Sequence, residues 1–197
     1  MEKMRMVGKV IERTYKYTIP TPNELFKMFQ EKFSKATLPE KWEASTWTNI
    51  VLNIFSEIGR SLGFMPRKEY LRLDQTWEIR HPDVSTIVLA LEHENTSDVR
   101  EIIDDELQKL LDVKSLLKVL IFYPKIPVTM LEGEFTIPEI QEKIQSAKIK
   151  LPDEKYVIIG GNYLPSKGVI DVSACSLDSE GKGEDLESFH VKYAPKD

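Results

Sequence analysis

The sequence reads as an α/β domain, a mixed central sheet flanked by helices with additions at the N- and C-terminal ends, and three observations predict this. From Glu69 to Asn95 the chain runs EYLRLDQTWEIRHPDVSTIVLALEHEN, two stretches of period-two alternation joined by turn residues. Around it, apolar residues recur at helical spacing from Trp47 to Leu62 and again from Val99 to Leu111. Leu116 to Tyr123, LLKVLIFY, is almost continuously apolar and stopped by Pro124, the pattern of a strand covered on both faces.

Taken in order, the first 20 residues carry short alternating stretches such as Arg13 to Ile19, an edge strand or an arm. Asn23 is the expected cap of a helix from Glu24 to about Phe33, with Leu25, Phe26, Met28, Phe29 and Phe33 as its stripe. Residues 34 to 46 read as loop. Ser45 and Thr46 offer a cap for the helix Trp47 to Leu62, closed by Gly63 and Pro66. The two strands follow, with His81-Pro82-Asp83 between them. Asp98 and Glu101 make a capping-box start for a helix through about Lys114, which returns the chain to the buried strand 116–123 as a crossover does. Beyond it, 128–136 is ambiguous, a helix is expected from Pro138 to about Ala147, and strands from Lys155 to Ile159, Val169 to Ala174 and Ser188 to Tyr193. Gly160-Gly161-Asn162 and Ser179 to Gly183 read as turns, without the length or lysine of a phosphate-binding loop.

The 197 residues suit one domain, 1–197, with a core at about 47–123, an N-terminal extension 1–46 and a sheet extension 124–197. A single cysteine, Cys175, excludes an internal disulfide and a multi-cysteine zinc site, and three scattered histidines offer no zinc site of their own. No run approaches the roughly 20 apolar residues of a membrane span, and MEKMRMVGKV lacks the apolar core of a signal peptide, so the expectation is a cytoplasmic protein with no membrane partner. The net charge of −5 counts against non-specific coating of nucleic acid but leaves a nuclease open, because a metal ion neutralises clustered carboxylates.

The chemistry concentrates in the two strands. Alternation puts Asp74 on the polar face of the first, and Glu92 with Glu94 on one face of the second. A hairpin centred on Asp83 sets Asp74 opposite Glu92, with Cβ atoms roughly 5 Å apart, where like charges repel unless something compensates. A divalent cation compensates, and hard carboxylate oxygens are what Mg²⁺ or Mn²⁺ accepts. A one-residue slip in register would break the site. Glu57 lies at the margin of its helix stripe, either a fourth carboxylate or a boundary residue. Arg60, Arg67, Lys68 and Arg72 precede Asp74 as a local basic excess, either a track for nucleic-acid phosphates or a solvated face.

RLDQTW (Arg72 to Trp77) followed by ALEHEN (Ala90 to Asn95), set between a helix before and a helix and buried strand after, resembles the PD-(D/E)XK nuclease superfamily, the restriction-endonuclease-like fold, over about Trp47 to Tyr123. The resemblance implies metal-assisted phosphodiester hydrolysis of DNA. Asp74 and Glu92 would hold Mg²⁺ or Mn²⁺, with Glu57 directly or through water, and Glu94 would orient or deprotonate the attacking water. The family's usual lysine would stand at position 94, where this chain has Glu94; Lys109 on the following helix is the candidate replacement, stabilising developing charge. A homodimer is implied if a duplex is cut, since that often takes two active sites.

The same residues also fit a plain cross-strand salt network. His93 alternates with the apolar face and reads as a core histidine, and Ser173, Cys175 and His190 have no nucleophile-elbow context. Two functions therefore stand: a Mg²⁺-dependent nuclease, and a catalytically inactive member of that fold serving as a nucleic-acid-binding or protein-interaction module. Divalent metal binding separates them.

Overall fold

The computed structural model describes residues 17–38, 43–80, 84–96, 98–124, 128, 136–148, 150–164 and 167–193. In chain order these form helices α1 (Pro22–Phe33) and α2 (Ala44–Ser61) and strands β1 (Met65–Tyr70), β2 (Leu73–Arg80) and β3 (Ser85–His93). A helical segment follows, made of α3 (Val99–Glu101), a π-helical turn (Ile102–Glu106) and α4 (Leu107–Asp112). Then come β4 (Leu117–Phe122), α5 (Thr136–Ser146), β5 (Lys155–Leu164), β6 (Val169–Asp178) and β7 (Gly183–Lys192). The strands form one mixed sheet in sequence order, β1 to β7. β3–β4 and β4–β5 are parallel and the other pairs antiparallel.

The period of two divides the sheet's side chains between two cores. Leu89, Leu91, Val119, Ile121, Val157 and Ile159 join Trp47, Phe55 and Ile58 of α2 and the phenylalanines of α1. Their neighbours Ala90, Leu120, Phe122, Tyr156 and Ile158 join Ile102, Leu107 and Leu110 of the α3–α4 segment and Ile137, Ile140 and Ile144 of α5. α1 and α2 thus cover one face, and α3–α4 and α5 the other. β4, buried along its whole length, is the central strand that its apolar run predicts. Among the described residues no helix is long and apolar enough to cross a membrane.

Several expectations are corrected. The α1 cap is Thr21, not Asn23: Thr21 and Glu24 bond each other's backbone N–H in a capping box, and Pro22, whose fixed φ suits the first helical position, takes N1. Ser45 and Thr46 lie inside the first turn of α2, whose cap, Glu43, makes no side-chain bond to the helix backbone. The first alternating run is two strands, because the chain reverses at Leu71-Arg72, both with φ in the left-handed region (55° and 67°) between the paired Tyr70 and Leu73. Gly160-Gly161-Asn162 is strand, not turn. A Cβ on Gly161 would stand 2.7 Å from the Tyr123 ring, so these glycines let neighbouring side chains approach the sheet. β6 and β7 are longer than expected, while Ser179-Glu180-Gly181 is the expected turn. The stretch before Tyr17, the His81-Pro82-Asp83 connection and most of 125–135 lie outside the described residues.

Candidate metal centre

The register places the acidic pair. Gln75, Thr76 and Trp77 pair with Leu91, Ala90 and Leu89, and a bulge shifts the pairing by one only beyond Trp77. Continued one step, this ladder sets Asp74 opposite Glu92, as a hairpin centred on Asp83 requires. The Asp74 carboxylate reaches across the strands: its Oδ2 accepts the His93 N–H at 2.8 Å. Glu92 shares the face of Ala90, so both carboxylates look toward the α3–α4 segment.

That segment answers with Glu106 and Lys109, three residues apart and on one side of the helix. Lys109 Nζ donates to both oxygens of Glu106, at 2.8 and 2.6 Å, and lies 3.9 Å from Glu92 Oε2. The π-helical turn ends at Glu106, and the Leu107 N–H bonds to the carbonyl of Ile102, five residues back.

Electrostatically the centre is tense. Glu92 is 1% exposed, and its Oε1 meets no hydrogen-bond donor. Burial, then the Asp74 charge beside it, then Glu106 push its carboxyl up to about 10. Burial also raises Asp74, opposed by the His93 N–H. Burial lowers Lys109, but its bond to Glu106 and the Glu92 charge outweigh this and hold it above its ordinary value. A cleft of about 390 Å³ opens over Glu106 and Lys109, edged by Arg72, Asp104, Asp105 and Asp112. The rim carries more acid than base, so it concentrates cations.

Of the expected site residues, Asp74, Glu92 and Lys109 come together, joined by Glu106, which the sequence reading missed. The signal available was its i,i+3 spacing from Lys109. Glu94 is not part of the group. β3 ends at His93, the Glu94 N–H bonds to the Ile121 carbonyl, and its carboxylate turns back onto the Asn95 N–H at 2.6 Å. Glu57 is exposed and ion-paired to Lys32 of α1 at 2.8 Å, on the helix that covers the opposite face of the sheet. The basic residues are dispersed too. Arg72 edges the cleft, Arg67 stacks on the Tyr70 ring and lies 3.8 Å from Glu78, Lys68 donates to Asn53, and Arg60 lines a separate cavity with Arg80. His93 points to the α2 side, as its alternation predicts, with Nε2 2.9 Å from the Tyr123 hydroxyl. Cys175 is buried, its thiol pushed up to about 12 by burial and by the Asp185 charge, which leaves it a poor nucleophile.

Among the described residues no three His, Cys, Asp or Glu side chains are gathered tightly enough to cage a metal. Mg²⁺ does not require a cage: it keeps most of its water and is commonly held by one or two carboxylates. Asp74 and Glu92 are hard oxygen donors of the type such an ion takes, and one oxygen of Glu92 has no hydrogen-bond partner. They do not fit zinc. No protein-family model and no curated protein matches the chain.

Proposed function

We propose that this protein is a Mg²⁺-dependent nuclease of the restriction-endonuclease-like kind that hydrolyses phosphodiester bonds of DNA. The observation that carries the reading is the arrival of Lys109, from the helix after the acidic strand, beside the half-buried Asp74 and the buried Glu92. The order of elements supports it: a helix, a three-stranded antiparallel meander with the aspartate on its middle strand, a helical segment, and a strand parallel to the acidic one.

A bound Mg²⁺ would supply a polarised phosphate and a water of lowered pKa. The chain's own residues do the rest. The His93 N–H fixes the Asp74 carboxylate in place. Glu92 would have to lose its proton to act as a ligand, so its part in holding the ion would be coupled to release of H⁺. Glu106 holds Lys109 extended, and the Lys109 ammonium stabilises the charge that develops on phosphate oxygens. Arg72 at the rim offers a further cation to the backbone. Glu57 and Glu94 take no part.

One observation favours the second reading, an inactive nucleic-acid-binding or protein-interaction module: Lys109 already neutralises Glu106 and sits near Glu92, as in a closed salt network. Cleavage of single- and double-stranded DNA with Mg²⁺ or Mn²⁺, by wild type, Glu92→Gln and Lys109→Ala, separates the two. The nuclease reading expects divalent-dependent cleavage, reduced by about 10² or more in each variant. Absent cleavage in wild type, with no bound Mn²⁺, leaves the inactive module.

A further inference from the structure

Beyond the exposed side of α4 from the carboxylates lies a second cavity of about 460 Å³, within the roughly 300–1,000 Å³ of small-molecule pockets. Five lysines line it, Lys114, Lys118, Lys143, Lys148 and Lys150, against two acids, Asp112 and Glu154. Both acids are engaged. Glu154, fully buried, accepts Lys118 Nζ at 3.1 Å, the Tyr156 hydroxyl at 2.5 Å and the Leu151 N–H at 3.1 Å. Asp112 accepts the Gln108 amide at 2.8 Å. Lys143 leans 3.5 Å from Asp104, and Lys150 donates to the Gln145 carbonyl and lies 3.9 Å from Glu180. Lys114 and Lys148 have no acidic partner among the described residues.

Scattered lysines on a surface are ordinarily a solvated face. Here they come from four separate places, the loop before β4, β4 itself, α5 and the loop before β5, and they line one concavity. At its floor a lysine, 1% exposed, occupies a strand position where an apolar residue would pack more cheaply. Leu111, Val113 and Leu151 supply an apolar wall beside the cations.

We infer that this cavity is a binding site for a phosphate-bearing ligand, whose phosphate is met by Lys114 and Lys148 and whose apolar body lies on Leu111, Val113 and Leu151. The site is independent of the carboxylate centre and shares none of its proposed ligands. Gln108 and Asp112 line both cavities, however, so the phosphate can belong to a free nucleotide or to a nucleic-acid strand that continues over α4.

The test is calorimetric titration at low ionic strength, without divalent ions, of inorganic phosphate, adenosine monophosphate and a short DNA oligonucleotide. The proteins are wild type, Lys114→Ala/Lys148→Ala, Lys114→Arg/Lys148→Arg and Asp74→Asn/Glu92→Gln. The nucleotide is expected to bind wild type more tightly than phosphate, to weaken more than about tenfold in the alanine pair, and to be kept by the arginine pair and the carboxylate variant. An oligonucleotide tighter than the nucleotide, with the same lysine dependence, names a strand as the source; equal affinity names the free nucleotide. No binding of any probe to wild type overturns the inference, as does binding that survives in the alanine pair. Loss in the carboxylate variant also overturns it, by placing the ligand on the other centre. Lysine-dependent binding in a protein that cleaves nothing would instead sink the nuclease reading and leave this one standing.

Discussion

Glu92 is buried on β3 with one oxygen unpartnered, beside Asp74 and Glu106. In the metal-free protein its carboxyl stays protonated up to about pH 10, whereas in the unfolded chain it ionises near 4.5. The native state therefore holds the extra proton between these values, and stability falls as pH rises through that window. Glu92→Gln should remove this slope and be more stable than wild type at pH 8, by on the order of 1 kcal/mol or more. Urea unfolding at pH 5, 7 and 9 reads it directly, and an unchanged slope in the variant contradicts the assignment. His93 acts with the opposite sign. Burial pushes its imidazole down to about 4 against an ordinary 6.5, so stability is present above 6.5 and lost as pH falls toward 4. His93→Gln should flatten that acid limb; an unaltered limb would mean that another group supplies it. At this scale the sequence was informative where alternation governs. Asp74, Glu92 and His93 face where a period of two puts them, while Glu94 escapes the pattern because β3 stops one residue short of it.

At the scale of elements, the β1–β2 reversal is the least expected feature. A two-residue hairpin with both φ positive favours Asn-Gly, and this chain places Leu71-Arg72 there, with Leu71 half exposed. Non-glycine residues in that region are strained by about 1 kcal/mol or more each. Leu71→Asn/Arg72→Gly should raise the urea midpoint, by roughly 1–2 kcal/mol in stability. A lowered midpoint would show that Leu71 or Arg72 makes contacts that matter more than the strain. No turn signal stands in the sequence at this point, which is why one strand is read where two form. The Gly160-Gly161 pair misleads in the other direction: read as punctuation, it serves close packing within β5. Gly161→Ala, whose Cβ meets the Tyr123 ring at 2.7 Å, should destabilise by about 1–3 kcal/mol in thermal or urea unfolding. Unchanged stability would mean that the ring moves aside. The π-helical turn has no counterpart in the apolar spacing, since one inserted residue barely disturbs a stripe; the contribution of Glu106 was hidden with it.

For the whole molecule, the α/β class with its mixed sheet was legible, because α2, β3 and β4 carry strong periodic or continuous apolar patterns. The continuation is less separable than a core with an extension suggests. β5 pairs along the whole of β4, and Tyr156 and Ile158 share the core of Leu120 and Phe122. A chain ending at Pro124 would leave the central strand as an edge, and should not unfold cooperatively by urea or heat; a sharp two-state transition from it would show that the core folds alone. Two cavities share Gln108 and Asp112 and differ in the rest of their lining, one edged mainly by acids and the other by lysines. The proposed function stands or falls with the uptake of a divalent ion by Asp74 and Glu92. Its most direct test is titration of Mn²⁺ into wild type and Glu92→Gln by calorimetry, in two buffers of different ionisation enthalpy. Wild type is expected to bind Mn²⁺ with release of a proton, and Glu92→Gln to bind none. Equal binding by both proteins, or none by wild type, would rule out such a site and leave the two carboxylates as a salt network closed by Lys109.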